Sequence, residues 1–212
     1  MNPTLLIVAK APVPGLAKTR IGRVTGHEHA AEIAAAALLD TLATAAATGW
    51  PVVVALTGDL ADATRGEQIA AALAPTRVIT QRGDGFGARL ANAHVDADAG
   101  HGVVQVGMDS PQVTVSDYEQ AAAALRHGST VLGPASDGGW WLLGVQHGSD
   151  AEALPEVEMS RADTAERTIA ALGGEVELLR TLTDIDTWDD VLKVAADLPG
   201  THLSHTVQAV MA

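Results

Sequence analysis

LLIVAKAPVPGLAKTRIGR, residues Leu5–Arg23, opens as an apolar run of strand length and breaks into a Pro/Gly loop. Lys18, Thr19 and Arg20 then arrive together just before a long Ala-rich helix. No Asp or Glu precedes Glu28, so Lys10, Lys18, Arg20 and Arg23 concentrate positive charge in a chain whose formal net charge is −13. A basic loop on an acidic chain reads as a receptor for a small anion, and the anion it suits best is the phosphate of a nucleotide.

Working outward, apolar strands are expected at Pro51–Leu56, Arg77–Thr80, Gly102–Gly107, Thr130–Gly133, Trp140–Val145 and Glu175–Leu179. Helical patterns fall between them, at His27–Thr48, Asp59–Leu73, Asn92–Ala99, Ser116–Arg126 and Arg161–Leu172, then from the acidic run at 184–190 to about Leu198. Gln81–Leu90 reads as turns, and the tail as one more short helix. Strands alternating with helices predict an α/β fold with a largely parallel central sheet and helices on both faces. The length of 212 residues fits one domain spanning 1–212.

The composition removes several classes of function. No unbroken apolar run nears the roughly 18 residues that span a bilayer, and Leu5–Ala9 is too short for a signal peptide, so no membrane span is expected and the cytoplasm is the expected location. The absence of cysteine excludes disulfides and thiolate metal sites. The acidic balance argues against nucleic acid as a partner. No Ser/His/Asp or Cys/His arrangement stands at strand ends to support a covalent nucleophile.

The opening loop is neither of the common nucleotide motifs. Gly15–Thr19 ends in Lys-Thr, but Ala17 stands where a P-loop requires glycine, position 12 is proline, and no G-x-G-x-x-G follows the first strand. Phosphate binding therefore falls to side-chain cations, with Lys10, Pro14, Gly15, Lys18 and Arg20 as the candidate loop. In Gln81–Arg89 glycines accompany Arg82 and Arg89, so Gln81 and Arg89 are candidates to line the base or the phosphates. Asp109, directly after an apolar strand, is placed to hold a hard cation, Mg²⁺ or Mn²⁺, whose other ligands are phosphate and water. Asp184 or Asp186 is the candidate second ligand, although residues 186–190 also suit a helix cap. Asp137, Gly138 and Gly139 offer a carboxylate and a backbone that a ligand can approach closely, and Trp140 or Trp141 a flat ring to a sugar or base; a tight turn with the tryptophans in the core explains the same letters.

Five segments, KAPVPGLAKTR at 10–20, GDGFGAR at 83–89, GMDSP at 107–111, GPASDGGWWLLG at 133–144 and DIDTWDD at 184–190, together resemble the DUF2064 family. That family is also called radical-SAM/selenodomain-associated transferase 1, or CofC-like glycosyltransferase. The resemblance implies a GT-A, nucleotide-diphospho-sugar transferase fold. It also implies that Lys10, Lys18 and Arg20 lie in the phosphate loop and that Asp109 is the metal-binding carboxylate. Asp186 would approach the metal from the other side, and Asp137 and Gly138 would face the acceptor or sugar. Two departures concern the acceptor: Trp140-Trp141 stands where tyrosines are usual, and Glu158-Met159-Ser160 replaces a tryptophan-serine segment.

The expected activity is Mg²⁺-dependent transfer of a glycosyl group from a nucleotide sugar to a small-molecule acceptor, with Lys18, Asp109 and Asp137 as catalytic residues and Asp137 as base. Pro111 occupies the place of the second acid of a D-x-D motif, so nucleotidyl transfer from a nucleoside triphosphate is the alternative. A non-catalytic nucleotide-binding accessory protein is a third reading. The sequence admits a homodimer without requiring one.

Overall fold

The computed structural model describes residues 1–212. Seven strands form one sheet in the order β3-β2-β1-β4-β6-β5-β7. They are β1 (Thr4–Lys10), β2 (Val52–Thr57), β3 (Arg77–Thr80), β4 (Val103–Gly107), β5 (Thr130–Pro134), β6 (Trp140–Val145) and β7 (Val176–Leu178). β1 pairs in parallel with both β2 and β4, β2 with β3, and β5 with β7. β6 alone runs antiparallel, to β4 and β5. Only Ala135–Gly139 separate β5 from β6, too few residues for the crossover a parallel pair needs. The largely parallel sheet with GT-A character expected from the sequence is therefore present, with one reversed strand.

The helices are α1 (Thr19–Thr25), α2 (His27–Ala47), α3 (Gly66–Leu73), α4 (Phe86–Ala97), α5 (Val115–Arg126), α6 (Thr164–Leu172), α7 (Trp188–Asp197) and α8 (His202–Met211). One face of the sheet packs Leu5, Ile7, Val104 and Val106 against Leu38 and Leu42 of α2, Ile69 of α3 and Tyr118 of α5. The other packs Leu6, Val8 and Val103 against Leu90 and Ala93 of α4. A third cluster joins Ile21, Ile33, Ile185, Val191 and Leu203 from α1, α2, the 184–190 segment, α7 and α8.

α2 is long and apolar enough to cross a membrane by length and composition, although Glu28, Glu32 and Asp40 break up its apolar run. In the fold 72% of that apolar window is buried. One stripe of it faces the sheet and another faces α8, and a helix enclosed on two sides needs apolar residues nearly all round. Asp40 is part of that enclosure: its carboxylate accepts the backbone N–H groups of His202 and Leu203 at the start of α8.

Three segments differ from the sequence reading. The helix expected over Asp59–Leu73 is interrupted, because Leu60–Asp62 is a single 3-10 turn and Arg65 sits left-handed at φ 54 before α3. Half of the turn-rich Gln81–Leu90 belongs to α4. Gly148–Glu156 forms a 3-10 segment for which no element was expected. Gly87 explains the contact between the last two: a Cβ there would lie 2.3 Å from the Leu154 carbonyl oxygen.

Candidate active site

The chain runs outward from β1 to β2 and β3 and then returns to β4 on the other side of β1. In open α/β sheets such a reversal leaves a crevice at the carboxyl ends of the strands. Here it is a cleft of about 360 Å³, lined at those ends by Lys10, Thr57, Gln81, Gly107 and Asp109, and by Trp140 where β6 begins.

The opening loop bends over this edge. Leu16 and Ala17 donate their N–H groups to Val13, Lys10 donates its ammonium to the Leu16 carbonyl at 2.9 Å, and Gly15 takes φ 76. Lys18 is left-handed at φ 47, directly before α1. Its side chain is only 13% exposed, with Nζ 2.7 Å from Asp109 Oδ2 and also donating to the Ile185 carbonyl. Of the predicted phosphate loop, Lys10 lines the cleft; Pro14, Gly15, Lys18 and Arg20 do not. Arg20 reaches away to pair with Asp186, both side chains being largely solvated.

Asp109, Asp137 and Asp184 line the same cleft. Asp109 Oδ1 is buried without a hydrogen-bond partner. Asp137 accepts the Gly139 N–H at 2.8 Å through Oδ1. Burial first, and then the charges of Asp137 and Asp109, push the Asp184 carboxyl up to about 7 against the opposing effect of Lys18. Around Asp184, Lys18 is the one cation set against the neighbouring carboxylates, although Lys10, Arg89 and Arg161 also line the cleft, and Asp109 keeps one orphaned oxygen. That donor set fits a hard divalent cation. No three acid or histidine side chains converge into a finished metal shell, so water and substrate oxygens would complete the coordination. Of the two candidate second ligands, Asp184 faces the cleft while Asp186 is turned to Arg20. Thr187 and Asp190 form a capping box on α7, so that part of the acidic run caps a helix.

A family model described as an uncharacterized protein conserved in bacteria, DUF2064, matches residues 39–161. The chain belongs to the DUF2064 family. Over 99% of its length it is similar to 95% of a candidate nucleotide-diphospho-sugar transferase from Desulfovibrio desulfuricans G20, at 26% identity and a TM-score of 0.83. It is similar in fold to Rv0371c of Mycobacterium tuberculosis H37Rv, solved as a complex with manganese, at 16% identity and TM-score 0.58 over 92% of this chain and 98% of that one. A nucleotidyl transferase from Methanothermobacter thermautotroptrophicus shares the fold at 14% identity and TM-score 0.60, over 99% and 100% of the two chains. No curated protein matches the sequence.

The two tryptophans of this DUF2064 protein have separate roles. Trp141 is 2% exposed and donates its indole N–H to the Arg180 carbonyl, and its ring occupies the space above Gly133, where a Cβ would lie 2.4 Å away. Trp140 is half-buried on the cleft wall and donates to Thr168 Oγ1 at 3.1 Å. Gly138 lets its turn meet the chain at Ala162, whose carbonyl oxygen would stand 1.9 Å from a Cβ, and this brings Met159, Ser160 and Arg161 to the cleft. Gly139 lines the cleft beside them, and Gly138 lies behind it.

Gln81 spends its amide N–H groups on the carbonyls of Ala9 and Ala55, and Arg82 turns outward to Asp96 and Asn92. Arg89 lines the cleft with its guanidinium 5.8 Å from the Phe86 ring centroid. The sequence reading missed Gln105, a buried residue of β4 that also lines the cleft, and its partner His94. The signal was present: Gln105 is a lone polar residue inside VVQVG, at an interior strand position where a buried amide needs a partner.

Proposed function

We propose that this chain is a divalent-metal-dependent transferase that moves a glycosyl group from a nucleotide diphosphate sugar to a small-molecule acceptor. The observation that carries the reading is the Lys18–Asp109 pair: Asp109 lines the open crevice with Asp137 and Asp184, and the largely buried Lys18 meets Asp109 from behind that lining. In this reading Asp109 and Asp184 hold the metal, which when bound neutralises the diphosphate and stabilises the charge left on it. Lys10 and Lys18 take up phosphate charge at fixed positions, so catalysis is mainly electrostatic. Asp137 is the base: its Oδ2 has no protein partner and receives the acceptor hydroxyl proton as the new glycosidic bond forms and the bond to the diphosphate breaks. The 26% identity to a candidate nucleotide-diphospho-sugar transferase supports the donor class, and the manganese complex of a fold relative supports the metal.

One observation favours a second reading. Position 111 is a buried proline, so the second acid comes from the distant Asp184 rather than from a D-x-D motif. A single strand-end aspartate with two nearby lysines also suits a triphosphate, attacked at its α-phosphorus with release of pyrophosphate. Thermal shift with nucleotide sugars and nucleoside triphosphates, each with and without Mg²⁺ or Mn²⁺, separates the two. Metal-dependent stabilisation by one nucleotide sugar, followed by release of nucleoside diphosphate with an acceptor, is the expected result. Stabilisation by a triphosphate alone selects nucleotidyl transfer, and no shift with any nucleotide overturns both.

A further inference from the structure

One wall of the cleft is made of donors that nothing in the protein satisfies. Gln105 is only 3% exposed, and its amide Oε1 lies 2.9 Å from Nε2 of His94, a ring with no exposure at all. Burial lowers the imidazole to about 4 and keeps it neutral, with one N–H to place. His94 Nδ1 is buried without a partner. Placing the proton on Nε2 makes the bond to Gln105 and leaves only a lone pair at Nδ1, whereas the other tautomer strands a buried N–H, the rarer and costlier orphan. His94 therefore fixes Gln105 with its oxygen inward, and the amide NH₂ is left at the cleft with no protein acceptor.

Arg89 supplies the second donor. Its Nε is buried and unpartnered, and no carboxylate pairs with its guanidinium. The neighbouring arginines differ: Arg82 pairs with Asp96, and Arg161 with Glu158 and Asp163. A partly buried, unpaired guanidinium is costly unless a ligand brings negative charge to it; a neutral base edge does not, and the nucleotide's phosphates are assigned above to Lys10, Lys18 and the metal held by Asp109 and Asp184. Around these donors the cleft is lined by Val8, Leu90, Trp140 and Met159.

We propose that Arg89 and Gln105 form a subsite for a carboxylate or phosphate on the second, non-nucleotide substrate, a small acid whose apolar body lies against Trp140 and Met159. The assignment of that ligand as the acceptor rests on the transferase reading above; the oxyanion subsite itself does not.

Thermal shift and calorimetry on the full chain, with benzoate, phenyl phosphate and uncharged benzyl alcohol as probes, test it. One of the two anions binds at millimolar concentration and the alcohol does not, and which anion binds separates carboxylate from phosphate. Arg89→Met weakens that anion by about tenfold or more. Gln105→Glu keeps the His94 bond and presents a negative charge, so it weakens the anion at least as much while the melting temperature without ligand shows the fold intact. Equal binding of benzyl alcohol, anion binding indifferent to both substitutions, or an equal loss of nucleotide affinity in Arg89→Met would each overturn the subsite. If wild-type protein binds nucleotide but neither anion, the subsite fails and the transferase reading stands. If it binds an anion through Arg89 but no nucleotide, the reverse holds.

Discussion

Lys18 Nζ stands 2.7 Å from Asp109 Oδ2, and the residue that delivers it is left-handed at φ 47. A non-glycine residue in that region stores on the order of 1 kcal/mol or more, a cost that recurs where function fixes a side chain. Lys18→Met keeps the strain and loses the ammonium, while Lys18→Gly loses both. Either lowers kcat by about 10²–10³, the cost of removing one preorganised donor to developing charge. Lys18→Gly melts higher than Lys18→Met. Steady-state rates and melting curves on the two variants check both statements.

Two of the three cleft carboxylates, Asp109 and Asp184, give substitutions of opposite sign. Asp109→Asn leaves the 13%-exposed Lys18 ammonium without its counter-charge and lowers stability in the absence of metal. Asp184→Asn removes a carboxylate disfavoured first by its burial and then by the charges of Asp137 and Asp109, and raises metal-free stability by about 1–2 kcal/mol. Both abolish metal-dependent stabilisation by nucleotide. Asp186→Asn loses only a solvated pair with Arg20, worth less than about 1 kcal/mol, and keeps the metal-dependent shift. Melting temperatures with and without Mn²⁺ and nucleotide decide it; loss of the shift in Asp186→Asn would restore Asp186 as a ligand.

The choice between Asp184 and Asp186 marks where the sequence stops being legible. The strands from β1 to β6 follow from apolar runs bounded by turn residues, and Asp109 is readable because it ends one of them. Which of two aspartates flanking Ile185 faces the cleft depends on Arg20, 166 residues away in the chain, and on the burial of Ile185 among α1, α2 and α7. No local pattern carries that. The start of α4 at Phe86 was hidden for a different reason: Gly83, Gly85 and Gly87 read as turn formers, whereas Gly87 lies inside the helix at a point where any Cβ would run into the Leu154 carbonyl. Arg89 was legible as a cleft residue, but its lack of a partner was not, since Asp84 and Asp96 lie close to it in sequence.

His94 gives the stability a defined pH dependence. Its folded value, about 4, lies below the ordinary 6.5, with burial the largest cause and the Gln105 hydrogen bond and Asp98 opposing it. Between those values the unfolded chain binds the extra proton, so stability is full above pH 6.5 and falls as pH drops toward 4. The slope from this group approaches about 1.4 kcal/mol per pH unit. His94→Gln can still hydrogen-bond Gln105 but does not titrate, so its unfolding free energy is flatter over that window. Parallel denaturant curves at pH 7.5, 6 and 5 measure the difference; identical slopes would mean that His94 protonates in place.

Gly138 ties together the side of the cleft that the proposed reaction gives to the acceptor. Its φ is 89, a Cβ would lie 1.9 Å from the Ala162 carbonyl oxygen, and its own carbonyl accepts the Ala165 N–H at 2.9 Å. Gly138→Ala therefore adds backbone strain and a clash with main chain that cannot rotate away, together on the order of 2–4 kcal/mol. Gly173 is the control: φ 65 and ψ −176 lie in a region almost confined to glycine, with nothing within 4 Å of a Cβ, so Gly173→Ala carries backbone strain on the order of 1–3 kcal/mol and no clash with main chain. The clash also pushes the 158–164 segment away from Asp137 and Trp140, so Gly138→Ala raises the KM for acceptor more than the KM for nucleotide. Equal melting temperatures for the two alanine variants, with acceptor KM unchanged, would show that this contact does not hold the cleft in shape.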